Sequence, residues 1–481
     1  MTAQSALIIL FTILDLLCIF AVIFVERKNP ASTIAWTLVL IFIPFLGFAA
    51  YLMFGSGFHV NKKKRFELKQ VSDTLYKQVI GKHAEKTRLG ASPEDIPFPR
   101  LLSYLQNDGG CFFTRDNDAH IFTGGLDMFT RMLDDIRKAE KHVHLLYYIF
   151  RNDALGRDIV RLLTEKARQG VQVRVMYDSL GSLLSGTRMF KPLIEAGGEV
   201  RAFSPLVFAL SSHLRLNYRN HRKIAVIDGR TGYMGGMNVG VEYLGRHKKL
   251  HPWRDTQLRL TGGSVFFLQE RFLMDWMYAQ QDPSPPEDLL DFFSPVRGND
   301  ALGMQIASSG PDTENASIKN ALLEMLYAAR KNVFIQTPYF TPDDSFIDAL
   351  RIAVKAGVDV RIMLPGLIDH LTVSCATYSY AWQLLRTGVR IYRYNGFLHA
   401  KTMVIDGSAA TIGSANIGNR SFAVNFEINA FIHDKAFAGK CEEIFLNDQQ
   451  HCEELHEFWF QQRSPVVRAA YGVCRLFSPL M

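Results

Sequence analysis

The chain has 481 residues, 48% of them hydrophobic and 21% charged, with a formal net charge of +7. That length exceeds one ordinary core, and the composition excludes a disordered or collagen-like chain. The positive balance favours an anionic partner, nucleic acid or an anionic membrane surface, without choosing between them.

Residues 6–25 form an apolar run broken only by Thr12 and Asp15, and residues 34–54 form a second. As helices, each is long enough to cross roughly 30 Å of hydrocarbon. The connector Glu26-Arg27-Lys28-Asn29-Pro30 is short and polar, and Lys62, Lys63, Lys64 and Arg65 cluster after the second run. The positive-inside rule then predicts a two-helix transmembrane hairpin over 1–58, with everything after it in the cytoplasm. The basic cluster would lie against anionic headgroups. Asp15, deep in the first span, is expected to be protonated or bonded to the second helix, and Pro44 with Gly47 to kink that helix. The six cysteines (18, 111, 375, 441, 452 and 474) form no CxxC pair and no zinc-like spacing, as expected of reduced thiols.

Residues 59–110 are polar and carry Pro93, Pro97 and Pro99, and read as a linker with some helix. After it the chain repeats itself. HVHLLYYIF (142–150) is a predicted strand, DIVRLLTEKARQG (158–170) a helix stopped by Gly170, and VQVRVMYD (171–178) a strand. NVFIQTPYF (332–340), SFIDALRIAVKAG (345–357) and VDVRIMLP (358–365) follow the same order. Such units predict two similar α/β domains, 111–295 and 296–481, each with a mixed sheet flanked by helices and related by a pseudo-two-fold axis.

The repeat reaches the chemistry. NHRKIAVIDG holds His221, Lys223 and Asp228, and LHAKTMVIDG holds His399, Lys401 and Asp406. GGMNVG at 235–240 then aligns with GSANIG at 413–418, matching Asn238 to Asn416. Residues two apart on a strand share a face, so each histidine projects with its lysine. A neutral imidazole is a competent nucleophile toward phosphorus, and a lysine is a fixed charge for non-bridging phosphate oxygens. Two lysines supply the positive charge, so no metal or other cofactor is required. Asn238, Ser414 and Asn416 are candidate hydrogen-bond donors to a phosphate. Asp228 and Asp406 complete the motifs as turn residues. Asp255 in WRDT and Glu427 in NFEIN are the acids placed to orient the imidazoles, 34 and 28 residues after their motif histidines. His142, His144, His213, His247, His251 and His370 read as surface or satisfied histidines. PLVFALSS (205–212), with Leu206, Phe208 and Leu210, reads equally as a lipid-admitting loop or a core segment.

From about residue 110 onward the chain resembles the phospholipase D superfamily, whose signature is HxKxxxxD followed by a GxxN-type turn. With its N-terminal hairpin and the ending RLFSPLM it resembles the bacterial cardiolipin synthases over nearly its whole length. The resemblance implies transfer of a phosphatidyl group from one phosphatidylglycerol to another, with glycerol released, in the bacterial inner membrane. It implies roles for His221, Lys223, His399 and Lys401, with His221 the nucleophile and His399 the acid, and phosphate contacts at Asn238, Ser414 and Asn416. Gly236 stands where the second copy has Ser414, so a hydroxyl is missing from the first. Rival readings with the same motif are a phospholipase D, a synthase using a soluble alcohol, and a membrane-tethered nuclease. The anionic lipid surface accounts for the basic charge without nucleic acid.

Overall fold

The computed structural model describes residues 3–25, 30–51, 96–183, 185–204, 218–280, 289–294, 302–313 and 315–478. The N-terminal helices belong to one compact unit, and residues 96–203 and 219–478 to another.

In the first unit α1 (Ala3–Phe20) runs into a π-helical turn, Ala21–Val25, and α2 (Pro30–Phe42) is followed by α3 (Pro44–Ala50). The second apolar run is not one helix. Ile43 leaves the helical region at φ −132° and ψ 60°, because Pro44 has no N–H to continue the ladder and its ring crowds the preceding turn. Among the described residues no helix is long and apolar enough to cross a membrane, so the expected hairpin is not established by these helices. Val22, Leu40 and Tyr51 are buried together, and Asp15 is buried with one carboxylate oxygen lacking a partner among the described residues. Leu16, Leu17, Phe20, Phe42 and Leu46 face outward. The basic cluster 62–65 and the 205–212 segment, with Leu206, Phe208, Leu210 and the nearby His213, lie outside the described residues.

The second unit is built on one 15-stranded mixed sheet. Its first half holds β1 (Phe113–Phe122), β2 (His142–Tyr147), β3 (Gln172–Asp178), β4 (Glu199–Phe203), β5 (Ile224–Ile227), β6 (Thr231–Gly235) and β7 (Gln257–Thr261). Its second half holds β8 (Leu302–Ser309), β9 (Asn332–Gln336), β10 (Asp359–Pro365), β11 (Arg390–Tyr394), β12 (Thr402–Ile405), β13 (Ala409–Gly413), β14 (Glu427–Ile432) and the edge strand β15 (Cys452–Leu455). The spatial order is β15-β11-β10-β9-β12-β13-β14-β8-β1-β7-β6-β5-β2-β3-β4. Counting outward from the antiparallel β1–β8 pair, the halves repeat strand for strand, except that the edge strand β15 has no counterpart in the first. In each, three parallel strands (β2-β3-β4, β9-β10-β11) adjoin an antiparallel set.

Local chemistry explains the repeat. Alternate residues of β2 face opposite ways. Val143, Leu145 and Tyr147 enter a core with Ile159 and Leu163 of the helix Ala154–Arg168. His142 and His144 face the helix Ser264–Gln280, where Gln269 bonds both (3.1 and 2.9 Å). Both are buried core residues, His144 with its Nε2 lacking a partner among the described residues, and burial lowers the pKa of His142 to about 4. Asp153 and Asp343 cap the helices after β2 and β9 by accepting from Gly156 N and Phe346 N. Gly170 and Gly357 end those helices at φ 88° and 90°, a conformation costly for residues with a Cβ.

One stretch read as linker is a packed element. The helix Pro99–Gly109 places Leu101 and Leu105 in the second half's core with Ile318 and Leu322. The Gln305 amide donates to the Leu102 and Cys111 carbonyls.

Candidate active site

The two motif histidines lie on extended segments just before β5 and β12, and each segment is hydrogen-bonded to the other half. The His221 N–H donates to the Phe426 carbonyl and the Phe426 N–H to the Arg219 carbonyl, both at 2.9 Å. Likewise the Phe397 N–H donates to the Pro252 carbonyl and the His399 N–H to the Arg254 carbonyl, at 2.8 and 2.7 Å. Side-chain alternation then sorts the motif: His221 and Lys223 share one side, while Arg222 turns to a buried bidentate pair with Asp275 at 2.7 and 2.8 Å.

The orienting acids are crossed. His221 Nδ1 lies 3.0 Å from Glu427 Oε2, and His399 Nδ1 lies 2.6 Å from Asp255 Oδ2. Each carboxylate therefore serves the histidine of the opposite half, not the motif it follows in sequence. A carboxylate accepts only, so both imidazoles carry the proton on Nδ1 and leave Nε2 as a lone pair.

The acid sockets are built differently. Glu427 also accepts from the Ser414 and Ser421 hydroxyls, at 2.5 and 2.8 Å, and from the Asn425 amide at 3.2 Å. The Ser414 hydroxyl is thus committed behind His221 and lies outside the cavity lining, contrary to its expected phosphate contact. In the first half Gly236 N donates to Thr256 O just as Ser414 N donates to Ile428 O, so Gly236 and Ser414 hold equivalent places. A Cβ on Gly236 would lie 2.0 Å from Asp255 Oδ1. Where the sequence reading saw a missing hydroxyl, the structure shows a carboxylate filling its space.

Asp228 and Asp406 lie away from the cavity. Asp228 accepts backbone N–H groups from Glu140, Lys141 and His142, and Asp406 from Arg330, Lys331 and Asn332, all at 2.7–3.0 Å. Both have left-handed φ, 53° and 52°. They pin each motif's turn to the start of β2 or β9.

A cavity of about 880 Å³ holds both histidines, Asn238 and Asn416. Asn238 accepts from Ile149 N and donates to the Tyr243 hydroxyl at 2.6 Å, leaving one amide hydrogen. The side-chain oxygens of Asn416 and Asn425 are buried without a partner among the described residues. The lining adds groups the sequence reading passed over: Tyr148, whose ring meets His221 edge-on at 5.0 Å, and Tyr243, Trp253 and Phe397, packed 5.8–5.9 Å from His399. Tyr148 and Tyr339 follow the ends of β2 and β9, where parallel strands place ligand sites, and that position was the available signal. His247 and His370, read as surface or satisfied histidines, also line the cavity. His251 is not in the lining.

Burial dominates the titration. It takes His221 down to about 4, with Glu427 opposing and Lys223 and Lys401 adding to the fall. His399 is lowered too, by burial and then by Lys401, against Asp255. The His221–Glu427 contact is thus a hydrogen bond to neutral imidazole. Burial pushes Glu427 up, but His221, Lys223 and Ser414 together hold it below the usual carboxylate range. Lys223 and Lys401 fall to about 7 and about 8 by burial, partly offset by the acids. Neither lysine lines the cavity, and each ammonium donates to its own histidine's carbonyl. Burial thus weakens the positive charge expected of both lysines from sequence.

Two motif histidines from repeated halves, meeting at one cavity on a shared mixed sheet with their lysines buried outside its lining, define a phospholipase D-type phosphodiester-transfer protein. The profile described as "Cardiolipin synthase, PLD-like domain" matches residues 132–248 and 322–449, and that described as "Phospholipase D-nuclease N-terminal" matches 13–56. A cardiolipin synthase of Listeria innocua is 41% identical over 99% of both chains, and a major cardiolipin synthase of Bacillus subtilis is 43% identical over 100% of both. The chain belongs to the cardiolipin synthase family of phospholipase D-like proteins. A phosphatidylserine synthase of Haemophilus influenzae shares the fold with TM-score 0.61 and 16% identity, covering 79% of this chain and 100% of that one.

Proposed function

We propose that this protein joins two phosphatidylglycerol molecules into cardiolipin and glycerol through a phosphohistidine. The observation that carries the mechanism is the pair of crossed histidine–carboxylate bonds at one cavity, which leaves two Nε2 atoms available for opposite tasks. His221 Nε2 attacks the phosphorus of the donor, and the bond to the glycerol oxygen breaks. His399, protonated on Nε2, gives that oxygen its proton, and glycerol leaves. The primary hydroxyl of the second phosphatidylglycerol then passes its proton to His399 Nε2. Its oxygen attacks phosphorus, and the P–N bond breaks. Burial disfavours imidazolium at His399, and an arriving phosphodiester anion opposes that bias. Lys223 and Lys401, one layer behind the histidines, add positive charge once the anion raises their pKa. Asn238 and Asn416 are the phosphate-facing amides, and Asp228 and Asp406 hold the motif turns.

The N-terminal apolar helices are the membrane anchor, with the catalytic unit on the cytoplasmic side of the bacterial inner membrane. The basic cluster 62–65 supports this orientation. The partners are phosphatidylglycerol and anionic lipid, and no nucleic acid is involved. The test is to supply phosphatidylglycerol vesicles to the purified protein and follow lipids and glycerol by mass spectrometry, with His221→Ala as control. Cardiolipin with equimolar glycerol, absent in the variant, is expected. Phosphatidic acid without cardiolipin would mean a hydrolase.

A further inference from the structure

The helix Pro465–Leu476 packs on the helix Leu371–Leu385 through Tyr471, whose ring lies against Tyr378, and through the Ser478 hydroxyl, 2.9 Å from that of Tyr380. Tyr471 is its one buried residue. Val466 (78% exposed), Val473, Leu476 (77%) and Phe477 face solvent. So do Leu371 (69%) and Phe458 (64%) on the helices beside it. Between residues 461 and 481 the chain has Arg463, Arg468 and Arg475 and no acidic residue. Two of these arginines rest over aromatic rings, Arg463 on Trp459 at 3.8 Å and Arg475 on Tyr380 at 4.9 Å.

This face continues to the mouth of the catalytic cavity. Leu371 sits between His370 and Val373, both in the cavity lining, and the half-exposed Ile368 lines it too. We propose that the apolar, arginine-rimmed face of residues 465–477, with Leu371 and Phe458, lies on the surface of an anionic bilayer and holds the cavity mouth against the lipid headgroups. An amphipathic helix with an apolar stripe and only basic polar charges matches a negatively charged interface, where apolar burial and headgroup attraction add. A second copy of the same face would set arginine against arginine. The choice of a lipid surface rests on the lipid substrate proposed above, since headgroups must enter at this rim.

The full-length protein carrying Leu476→Trp is reconstituted at one copy per phosphatidylglycerol nanodisc. The added fluorescence is expected to be quenched by lipids brominated in their acyl chains and shielded from aqueous iodide. Quenching by iodide and not by bromolipid overturns the proposal, and protection only with two copies per disc assigns the face to a second copy instead. Val473→Asp with Leu476→Asp is expected to slow turnover of bilayer phosphatidylglycerol by at least about tenfold, while turnover of a soluble short-chain phosphatidylglycerol stays unchanged. Equal slowing of both overturns the docking role. If the Leu476→Trp protein docks by the fluorescence test yet the unmodified protein forms no cardiolipin, the reaction proposed above falls and the docking face stands.

Discussion

Gly236→Ala is the sharpest test of the crossed acids, because it adds one methyl in the first half and is expected to disable the histidine of the second. The new Cβ would stand 2.0 Å from Asp255 Oδ1, against an ordinary contact of 3.4 Å or more, so the carboxylate must retreat by 3.4 − 2.0 = 1.4 Å. Asp255 is buried and held by Thr256 N at 2.7 Å on one oxygen and by His399 Nδ1 at 2.6 Å on the other. A retreat of that size breaks the imidazole bond. Misplacing a reacting group by an ångström costs about 10²-fold, and losing the tautomer costs up to about 10⁴-fold, so kcat should fall by roughly 10² to 10⁴, or about 3–5 kcal/mol of barrier. Glycerol release from phosphatidylglycerol vesicles measures it, scaled to the folded fraction from thermal melting. The double variant Gly236→Ser with Asp255→Glu copies the second half's socket and should recover at least about tenfold over Gly236→Ala. A Gly236→Ala protein with wild-type turnover and wild-type melting would refute the reasoning.

Glu427→Gln keeps the shape of the other socket and removes the acceptor that sets the His221 tautomer; kcat is expected to drop by about 10⁴-fold with little change in melting temperature, and a drop below tenfold would count against the role. Asp228→Ala strips the acceptor from three backbone N–H groups at a left-handed turn, so urea titration should show a loss of about 3 kcal/mol or more, while turnover per folded molecule changes little. A collapse of turnover in a stable protein would instead make Asp228 chemical. An anion in the cavity is expected to raise Lys223 and Lys401 above about 7 and about 8, so its binding takes up protons. That contribution to affinity is complete below the unshifted pKa values and is lost as pH rises through the raised ones. Calorimetry of a soluble short-chain phosphatidylglycerol at pH 8, in buffers of different ionisation enthalpy and with His399→Ala to remove the imidazole's own proton, should show uptake of about one proton, and zero uptake would place the lysines outside the binding equilibrium.

What the sequence revealed was local. Both βαβ units, the stops at Gly170 and Gly357 and the two motifs follow from patterns within a few dozen residues, and the strands and helices lie within a few residues of their expected bounds. The helix Pro99–Gly109 escaped because its charged, proline-flanked surroundings hide the single i, i+4 pair, Leu101 and Leu105, that enters the core. The crossing of Asp255 and Glu427 escaped for a different reason. It depends on short pairings between the halves, Trp253–Arg254 with Phe397–Leu398 and Asn220 with Phe426, which leave no periodic mark. The comparison of Gly236 with Ser414 finds the missing hydroxyl but not its cause, because one position read alone does not show the partner that fills its space. Glycine with aspartate and serine with glutamate are each a matched volume, and that matching exists only across the 13–19 residues that separate the partners.

The crossing also settles why two halves share one sheet. A buried imidazole whose Nδ1–H lacks an acceptor leaves an unsatisfied polar group in a dry site, and that costs about 1–3 kcal/mol. Here each half supplies the acceptor for the other, so separating the halves strips both histidines at once. Arg222 strengthens the same dependence. It sits between the two catalytic-motif residues, faces away from them, and ties the Glu427 backbone, Ser308 and Asp275 together at the boundary between the halves. Ala400 occupies the matching place in the second motif, so this tie exists on one side only. The two half-sites are therefore alike in the histidine and asparagine each presents to the cavity and unlike in what holds them. That difference makes distinct roles for His221 and His399 physically reasonable despite their equal motifs.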